Sequence, residues 1–344
     1  MKRPSGATTL WKLPMVLFLA GLMVMILIIP TLIVIPYGDD DEREAMAVEQ
    51  EAEEIQTKTA SASPFSVEVM RTNADEVEDV PLEQYVLGVV ASEMPSEFEV
   101  EALKAQGLAA RTYIINHLLY QDGKEDFDVT DGTEHQVYQS EEELRQSWGS
   151  DYEENIKKLT EAVASTEGEI LTYEDTPITP AFFSTSNGYT ENSEDYWENE
   201  LPYLRSVESP WDEESPKFMD QKVFTIGEVE AALGVELAND QAIPVEVTRT
   251  GSERVSEMKL ADHQFTGRET RDKLDLQSSD FEVEQNQDHM IFTTKGFGHG
   301  IGMSQYGANG MAKEGKDYED IVNYYYQDIE ISTVTETAPT LVAK

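Results

Sequence analysis

The feature that most constrains this chain is a stretch, residues 81–115, in which two helical patterns meet at a short turn. Pro81 suits the first position of a helix, where its missing N–H has no partner in any case. Pro95 ends that helix, because the residue before a proline avoids the α region. Ser96 and Glu99 then match a capping box for a second helix. Five apolar residues recur at helical spacing on the first helix: Leu82, Tyr85, Val86, Val89 and Val90.

Glu93 continues this apolar face, three residues after Val90. Burial disfavours the ionised form of a carboxyl group and raises its pKa. Enzymes tune glutamate in this way for general acid catalysis near neutral pH. The alternative is a glutamate that pairs with Lys104 or Arg111 and takes no part in chemistry. The pattern alone leaves both interpretations open.

An apolar run, Leu13–Tyr37, contains no charged residue, and about 20 apolar residues suffice to cross a bilayer. Three basic residues precede it and four consecutive acidic residues, 39–42, follow it. This asymmetry places the N-terminus in the cytoplasm. A cleaved signal peptide is the alternative, but the run is long for one and no small-x-small site precedes the acidic residues. We therefore expect 1–37 to be a single-pass cell-membrane anchor, with the rest outside.

The charge of the chain excludes some classes of partner. Its 344 residues carry a formal net charge of −43, and all 68 acidic residues follow the apolar run. A negative field of this size argues against binding nucleic acid or an anionic membrane surface. The chain has no cysteine, so it has neither a disulfide framework nor a thiolate metal site.

The domain organisation follows from changes in composition along the chain. Residues 38–64 are acidic and poor in aromatic residues, which is typical of a linker. Residues 65–330 mix helical and strand patterns, so we expect an α+β catalytic domain that is anchored to the membrane. Within it, about 222–295 is richer in strands and is expected to form a smaller lobe. Residues 331–344 are predicted to be a flexible tail.

Two further stretches are dense in turn-forming and polar residues. The first, 184–190 (STSNGYT), contains the tight-turn signal Asn187-Gly188. Its hydroxyl and amide groups suit a sugar-like ligand, and an ordinary hairpin tip is the alternative. The second, 295–309 (KGFGHGIGMSQYGAN), surrounds His299 with glycines that leave the backbone open. It fits no phosphate-binding or dinucleotide fingerprint, so we expect close approach to a polysaccharide, with a packing turn as the alternative.

Taken together, these stretches resemble the stage II sporulation protein D family of endospore-forming bacteria. Six segments carry the resemblance, in the family's order: Tyr85–Pro95, Ala102–Tyr113, His135–Tyr138, Phe182–Trp197, Pro202–Asp212 and Gly296–Asn309. The resemblance implies a lytic transglycosylase that acts on peptidoglycan glycan strands during engulfment of the forespore. It also implies a partner amidase that strips stem peptides and a membrane protein that anchors the complex.

The resemblance assigns the catalytic acid/base to Glu93, in the SEMP motif. Glu93 would protonate the glycosidic oxygen between N-acetylmuramic acid and N-acetylglucosamine, and would then accept a proton from the substrate's C6 hydroxyl, which leaves a 1,6-anhydro end. Ordinary glycosidases use two carboxyl groups, and Glu191 and Glu194 are the nearest candidates for a helper. Some members of the family bind zinc through cysteines near His135. This chain has Thr130 and His135 there, so we expect no metal or cofactor and a structural role for His135.

The same motifs supply candidates for substrate contact: Arg111, Lys104, Ser184, Ser186, Asn187, Tyr203, His299 and Gln305. Lys104 and Arg111 lie seven residues apart, roughly on one helix face, where they would hold lactyl or acetyl groups. Pairing with nearby glutamates is the alternative, and Lys104 stays undecided. Two other functions remain open at this point: a non-catalytic wall-binding enhancer of a partner amidase, and a glycan hydrolase with a water nucleophile.

Overall fold

The computed structural model describes residues 63–120, 126–197, 199–237 and 242–342. The predicted anchor, 1–37, and nearly all of the predicted linker lie outside these residues. Within the described ranges, no helix is both long and apolar enough to cross a bilayer.

The described residues form a mixed α+β fold of helices and several small sheets. The α-helices are α1 Leu82–Glu93, α2 Val100–Tyr120, α3 Glu141–Trp148, α4 Tyr152–Ser165, α5 Ser193–Trp197, α6 Ile226–Leu233, α7 Gly267–Lys273, α8 Gln305–Lys313, α9 Tyr318–Tyr325, α10 Val334–Thr337 and α11 Pro339–Val342. Two 3₁₀ helices cover Gly149–Asp151 and Pro210–Glu214.

The strands are short and belong to separate sheets. They are β1 Ser66–Arg71, β2 Glu76–Pro81, β3 Val129–Thr130, β4 Glu169–Tyr173, β5 Thr176–Pro177, β6 Phe182–Phe183, β7 Met219–Thr225, β8 Val245–Arg249, β9 Val255–Leu260, β10 His263–Thr266, β11 Phe281–Asn286, β12 His289–Lys295, β13 Met303–Ser304 and β14 Glu330–Thr333. Their orders are β2-β1-β3, β14-β4-β5, β13-β6, β11-β12-β7 and β10-β9-β8. The pairs β1–β3 and β6–β13 are parallel.

The helix pair α1–α2 lies at the centre of the larger hydrophobic core. Nearly every residue of α1 from Leu82 to Ala91 is buried, as expected for a helix that is apolar on most of its surface. Gly88 lets the chain approach closely, since a Cβ there would lie 2.5 Å from the ring of Tyr138. Alanines and Gly107 on α2 are buried as well. These small residues position the end of α1 within a rigid core.

The joint between the two helices falls where the sequence predicts. α1 ends at Glu93, and Met94 adopts an extended backbone with ψ of 142° before Pro95. The predicted capping box at Ser96 and Glu99 is wrong, because α2 begins at Val100. The backbone N–H of Glu99 instead donates to the side chain of Asn309, at 2.8 Å. A residue of the second dense stretch thus closes the start of α2.

A second hydrophobic cluster covers the region expected as a smaller lobe. Its buried residues run from Ile226 to Phe292, and Met258, Phe281 and Phe292 have no exposed surface. It contains the sheets β11-β12-β7 and β10-β9-β8 with α6 and α7. Both helices begin with a capping box, on Thr225 and Thr266.

The end of the described chain differs from the predicted flexible tail at 331–344. β14 pairs antiparallel with β4, and α10 and α11 follow it. Val334, Ala338 and Leu341 are buried in the larger core. These three apolar side chains, rather than local sequence pattern, keep residues up to 342 packed on the domain.

Candidate active site

Glu93 lies at the C-terminal end of α1, where the chain turns out of the helix. Its Oε1 accepts a hydrogen bond from the backbone N–H of Val137, at 3.1 Å. The side chain is partly buried. Burial raises the pKa of Glu93 above its ordinary value of 4.5, and the bond from Val137 opposes part of that rise. The structure thus shows a glutamate that keeps its proton to higher pH than an exposed one.

Glu93 opens onto a cavity of about 560 Å³. Four of the nine predicted site residues line it: Glu93, Ser184, His299 and Gln305. They come from distant parts of the chain, and the segments 133–137, 179–184 and 297–299 form the walls between them. Such a volume accommodates a ligand of drug or oligosaccharide size. We refer to this cavity as the cleft.

His299 is held as a neutral imidazole. Its Nδ1 accepts a hydrogen bond from the backbone N–H of Ile301, at 2.9 Å. Burial, together with the nearby cations Arg271 and Arg254, lowers the pKa of His299 to about 3. A group with this pKa does not carry a proton at neutral pH, so His299 is unsuited to be the general acid.

Aromatic side chains surround the ring of His299. Its centroid lies 5.7 Å from that of Phe183, 5.9 Å from Tyr196 and 5.8 Å from Trp197. Phe183 and Trp197 also line the cleft. The cluster therefore presents aromatic surface beside Glu93, as sites that bind organic ligands commonly do.

The glycine-rich loop that carries His299 is fixed by its backbone. Phe297 and Thr185 exchange two backbone hydrogen bonds, of 2.7 and 3.0 Å. Gly302 has a φ of +76°, and a Cβ there would lie 2.0 Å from the carbonyl oxygen of Ala181. Only glycine fits this close approach without strain.

Two predicted contact residues of the first dense stretch do not line the cleft. Ser186 has no exposed surface, and its Oγ donates to Asp212 at 2.8 Å. Asn187 donates its amide to the Ser252 carbonyl and to Asp280, both at 2.8 Å. These bonds therefore hold the stretch 184–190 against Asp212, Ser252 and Asp280. The side chains of Ser186 and Asn187 satisfy buried partners instead of facing the cleft, whereas Ser184 of the same stretch lines it.

Arg111 is buried in the core and does not line the cleft, so the prediction that it contacts substrate is not met in this structure. Its guanidinium donates two hydrogen bonds to the carboxylate of Glu83, at 2.9 and 2.6 Å. Both side chains have 0% exposure, and Arg111 donates further to the Glu169 carbonyl at 3.0 Å. A cation with no exposed surface cannot contact a glycan in this structure, so Arg111 is a core residue here.

Lys104 and Tyr203 are likewise absent from the cleft wall. Lys104 pairs with Glu101 at 2.8 Å and lies over the ring of Tyr318. Tyr203 is 8% exposed in the larger core, and its hydroxyl accepts a hydrogen bond from the Thr179 N–H at 3.1 Å. Pairing with a nearby glutamate, the alternative for Lys104, is what the structure shows.

His135 lines the cleft and also contacts Thr130, so its structural role stays a prediction. Its Nδ1 lies 2.9 Å from Thr130 Oγ1, and its ring meets that of His117 at 5.0 Å. Within the described ranges, no three His, Asp or Glu side chains are grouped so that they could hold a metal ion.

Neither candidate for a helper carboxylate lines the cleft. Glu191 is 2% exposed and accepts a hydrogen bond from Thr250 at 2.7 Å. Glu194 pairs with Arg205 at 2.7 Å. Among the described residues that line the cleft, Glu93 is the sole carboxyl group. The described part of the cleft therefore lacks the second carboxylate that a two-carboxylate mechanism requires.

Sequence reasoning missed several cleft residues with side chains suited to binding, among them Trp197, Lys217 and Arg271. Trp197 lies in the segment Phe182–Trp197, which contains many other polar and aromatic candidates. Lys217 and Arg271 lie in no motif. Basic residues are scarce in this chain, 25 against 68 acidic, and this scarcity is the one sequence signal that could have pointed to Lys217 and Arg271.

Comparison with known proteins gives consistent matches. A family model described as "Stage II sporulation protein" matches residues 70–173. The "Stage II sporulation protein D" of Bacillus subtilis (strain 168) is 50% identical over 324 residues, 91% of this chain and 94% of that protein. The protein of the same name from Bacillus amyloliquefaciens is 47% identical over 344 residues, covering 96% and 99%. An "Amidase enhancer" of Bacillus subtilis (strain 168) is 28% identical over 293 residues, 70% of this chain and 39% of that protein.

Proposed function

Because the chain belongs to the stage II sporulation protein D family, a family of sporulation proteins, we propose that it is a lytic transglycosylase of the cell wall. Its substrate is the peptidoglycan glycan strand, cut between N-acetylmuramic acid and N-acetylglucosamine. The observation that carries the proposal is the placement of Glu93. It is a carboxyl group with a raised pKa, and no other carboxyl group of the described residues lines the cleft.

In the first step, protonated Glu93 donates its proton to the glycosidic oxygen. The bond from that oxygen to C1 of the muramic sugar breaks, and positive charge develops at C1. General acid catalysis of this kind contributes about 10²–10⁴-fold in rate. Burial supports this step, because it keeps the proton on Glu93 at a pH where an exposed glutamate has lost it.

In the second step, ionised Glu93 accepts the proton of the substrate's own C6 hydroxyl. The C6 oxygen bonds to C1, and a 1,6-anhydro end results. Glu93 has then regained its proton, and no water has been consumed. One protein carboxyl group suffices for both steps, whereas hydrolysis by water needs a second carboxyl group nearby.

The remaining walls of the cleft would position the sugar rings. Trp197 and Phe183 supply aromatic faces, and Ser184 and Gln305 supply hydrogen-bonding groups. Holding the bond beside Glu93 lowers the barrier further, since a fixed geometry replaces a chance encounter.

The proposal includes a setting for this activity. The uncharged run Leu13–Tyr37 would anchor the chain in the cell membrane, with the catalytic domain outside. There the protein would remodel the septal wall during engulfment, together with a partner amidase and a membrane protein. We propose these two partners because the sequence motifs resemble those of a family that is thought to work with them.

A second candidate function is a non-catalytic enhancer that binds the wall and activates an amidase. The matching relative named "Amidase enhancer" favours it. Both functions include binding to the wall, so binding alone does not separate them.

The variant Glu93→Gln separates the two functions. We expect it to bind glycan strands and to release no fragments, whereas wild type cleaves them. Glu97→Gln is the matched control, because Glu97 is exposed on the turn after α1. If the protein is an enhancer, wild type and Glu93→Gln should stimulate an added amidase equally. Neither protein should then cleave peptide-free strands.

A further inference from the structure

Two cations, Lys217 and Arg271, line the cleft together with Glu93. Among the described residues, neither has a carboxylate oxygen within ion-pair distance, although the chain carries 68 acidic residues. Most other arginines of the domain pair with acids, as Arg71, Arg111, Arg145, Arg205 and Arg249 do. Among the described residues, two cations and one carboxyl group therefore line the cleft of a strongly negative protein.

Both cations are held where they can meet a ligand. Arg271 donates to the Tyr196 hydroxyl at 3.1 Å and to the Gln277 carbonyl at 3.3 Å. These contacts fix the guanidinium beside the aromatic cluster. Among the described residues it has no ion pair, although its charge reaches the carboxylate of Asp275 and helps to lower the pKa of that group. The Nζ of Lys217 lies 4.9 Å from the centre of the Phe297 ring, and the side chain is exposed. Phe297 is itself part of the cleft wall.

We propose that Lys217 and Arg271 form a carboxylate-binding subsite that sets the substrate specificity of the cleft. This inference rests on the proposed glycan substrate. N-acetylmuramic acid carries a lactyl group, whose carboxyl is free and anionic when no peptide is attached. Stem peptides, where present, carry carboxylates of their own. Charge-assisted hydrogen bonds from lysine and arginine recognise either group, so the test separates the two sources.

The test uses the full chain carrying Glu93→Gln, which holds substrate without cutting it. Binding is measured to three glycan preparations: peptide-free strands, the same strands with the lactyl carboxyls coupled to methylamine, and peptide-bearing strands. We expect coupling to weaken binding by about ten-fold, since a charged hydrogen bond contributes about 1.5–3 kcal/mol and 1.4 kcal/mol is ten-fold. Added salt should weaken binding to the free-carboxyl strands.

Lys217→Gln/Arg271→Gln, in the same background, should bind free and coupled strands alike. Arg271→Lys keeps the charge and should retain part of the discrimination. Lys273→Gln/Lys313→Gln is the matched control, because it also removes two positive charges, from exposed residues outside the cleft. The control should discriminate as the background chain does.

The inference is overturned if the background chain binds free and coupled strands equally, or if the control loses discrimination as fully as the cleft variant does. Stronger binding of peptide-bearing strands, lost in the cleft variant, would assign the carboxylate to the stem peptide. Failure of the proposed function looks different, because wild type would then cleave no glycan while the binding preference persisted.

Discussion

The backbone N–H of Val137 donates a hydrogen bond to the carboxylate of Glu93, at 3.1 Å. This bond joins the end of α1 to the segment 133–137, which forms one wall of the cleft. The donor is a main-chain group, so every substitution of Val137 except proline leaves the N–H in place. It orients the carboxyl group while burial keeps its pKa raised. The position and the protonation of Glu93 are therefore set by the same few contacts.

The first prediction concerns the pH dependence of glycan cleavage. The proposed first step needs protonated Glu93, so kcat/KM should fall as pH rises through its raised pKa, which lies above 4.5. The imidazole of His299, with a pKa of about 3, should add no ionisation between pH 5 and 9. Initial rates on peptide-free strands across this range would test this. A rate that instead rises with pH through the ordinary range of a carboxyl group would show that the ionised form starts the reaction.

The second prediction concerns stability. A carboxyl group whose pKa is raised by folding destabilises the folded state above its unfolded pKa, and the penalty disappears as pH falls below that value. Glu93→Gln removes the charge and can still accept the Val137 N–H. The variant should unfold at a higher temperature than wild type at pH 8, and the difference should shrink towards pH 4. Each unit of raised pKa corresponds to about 1.4 kcal/mol.

Glu97→Gln is the control for this measurement, since Glu97 is exposed. Equal melting temperatures of wild type and Glu93→Gln at pH 8 would contradict the prediction.

The third prediction concerns Arg111, which sequence analysis placed at the substrate. Arg111→Met leaves Glu83 buried without its partner, so the free energy of unfolding should fall by about 3–5 kcal/mol. Glu83→Leu/Arg111→Met removes both charges and should recover most of that loss. Urea unfolding of the three proteins would test this. A stable Arg111→Met protein with weakened glycan binding would contradict the prediction and show that Arg111 contacts substrate.

The fourth prediction concerns the aromatic wall. Trp197→Ala removes a stacking face beside Glu93, and aromatic contacts of this kind contribute about 0.5–1.5 kcal/mol. The KM for glycan strands should rise several-fold, while Trp197→Phe should restore most of the affinity. Steady-state kinetics with both variants would show this. Unchanged KM in Trp197→Ala would exclude Trp197 from substrate binding.

The local part of the site could be predicted from the sequence. Helical spacing and Pro95 place Glu93 at the end of α1, because both act within one or two turns of the chain. The mixed fold class also follows from pattern.

The tertiary part of the site was less predictable. Helical periodicity assigns Arg111 a face on α2, but it does not reveal that Glu83, on α1, lies opposite. The sequence around Ser186 suggests a sugar contact, but the hydroxyl of Ser186 donates its hydrogen bond to buried Asp212. Lys217 and Arg271 line the same cleft only through tertiary packing, Lys217 beside the Phe297 ring and Arg271 beside Tyr196. Such contacts join residues far apart in sequence, and no local pattern records them.

The most direct test of the account is the mass of the ends that the full chain releases from peptide-free glycan strands. Attack by the C6 hydroxyl gives anhydro ends, about 18 Da lighter than hydrolysed ends, the mass of one water. We expect anhydro ends from wild type and from Glu97→Gln, and none from Glu93→Gln. Hydrolysed ends from wild type, or cleavage that persists in Glu93→Gln, would contradict the account.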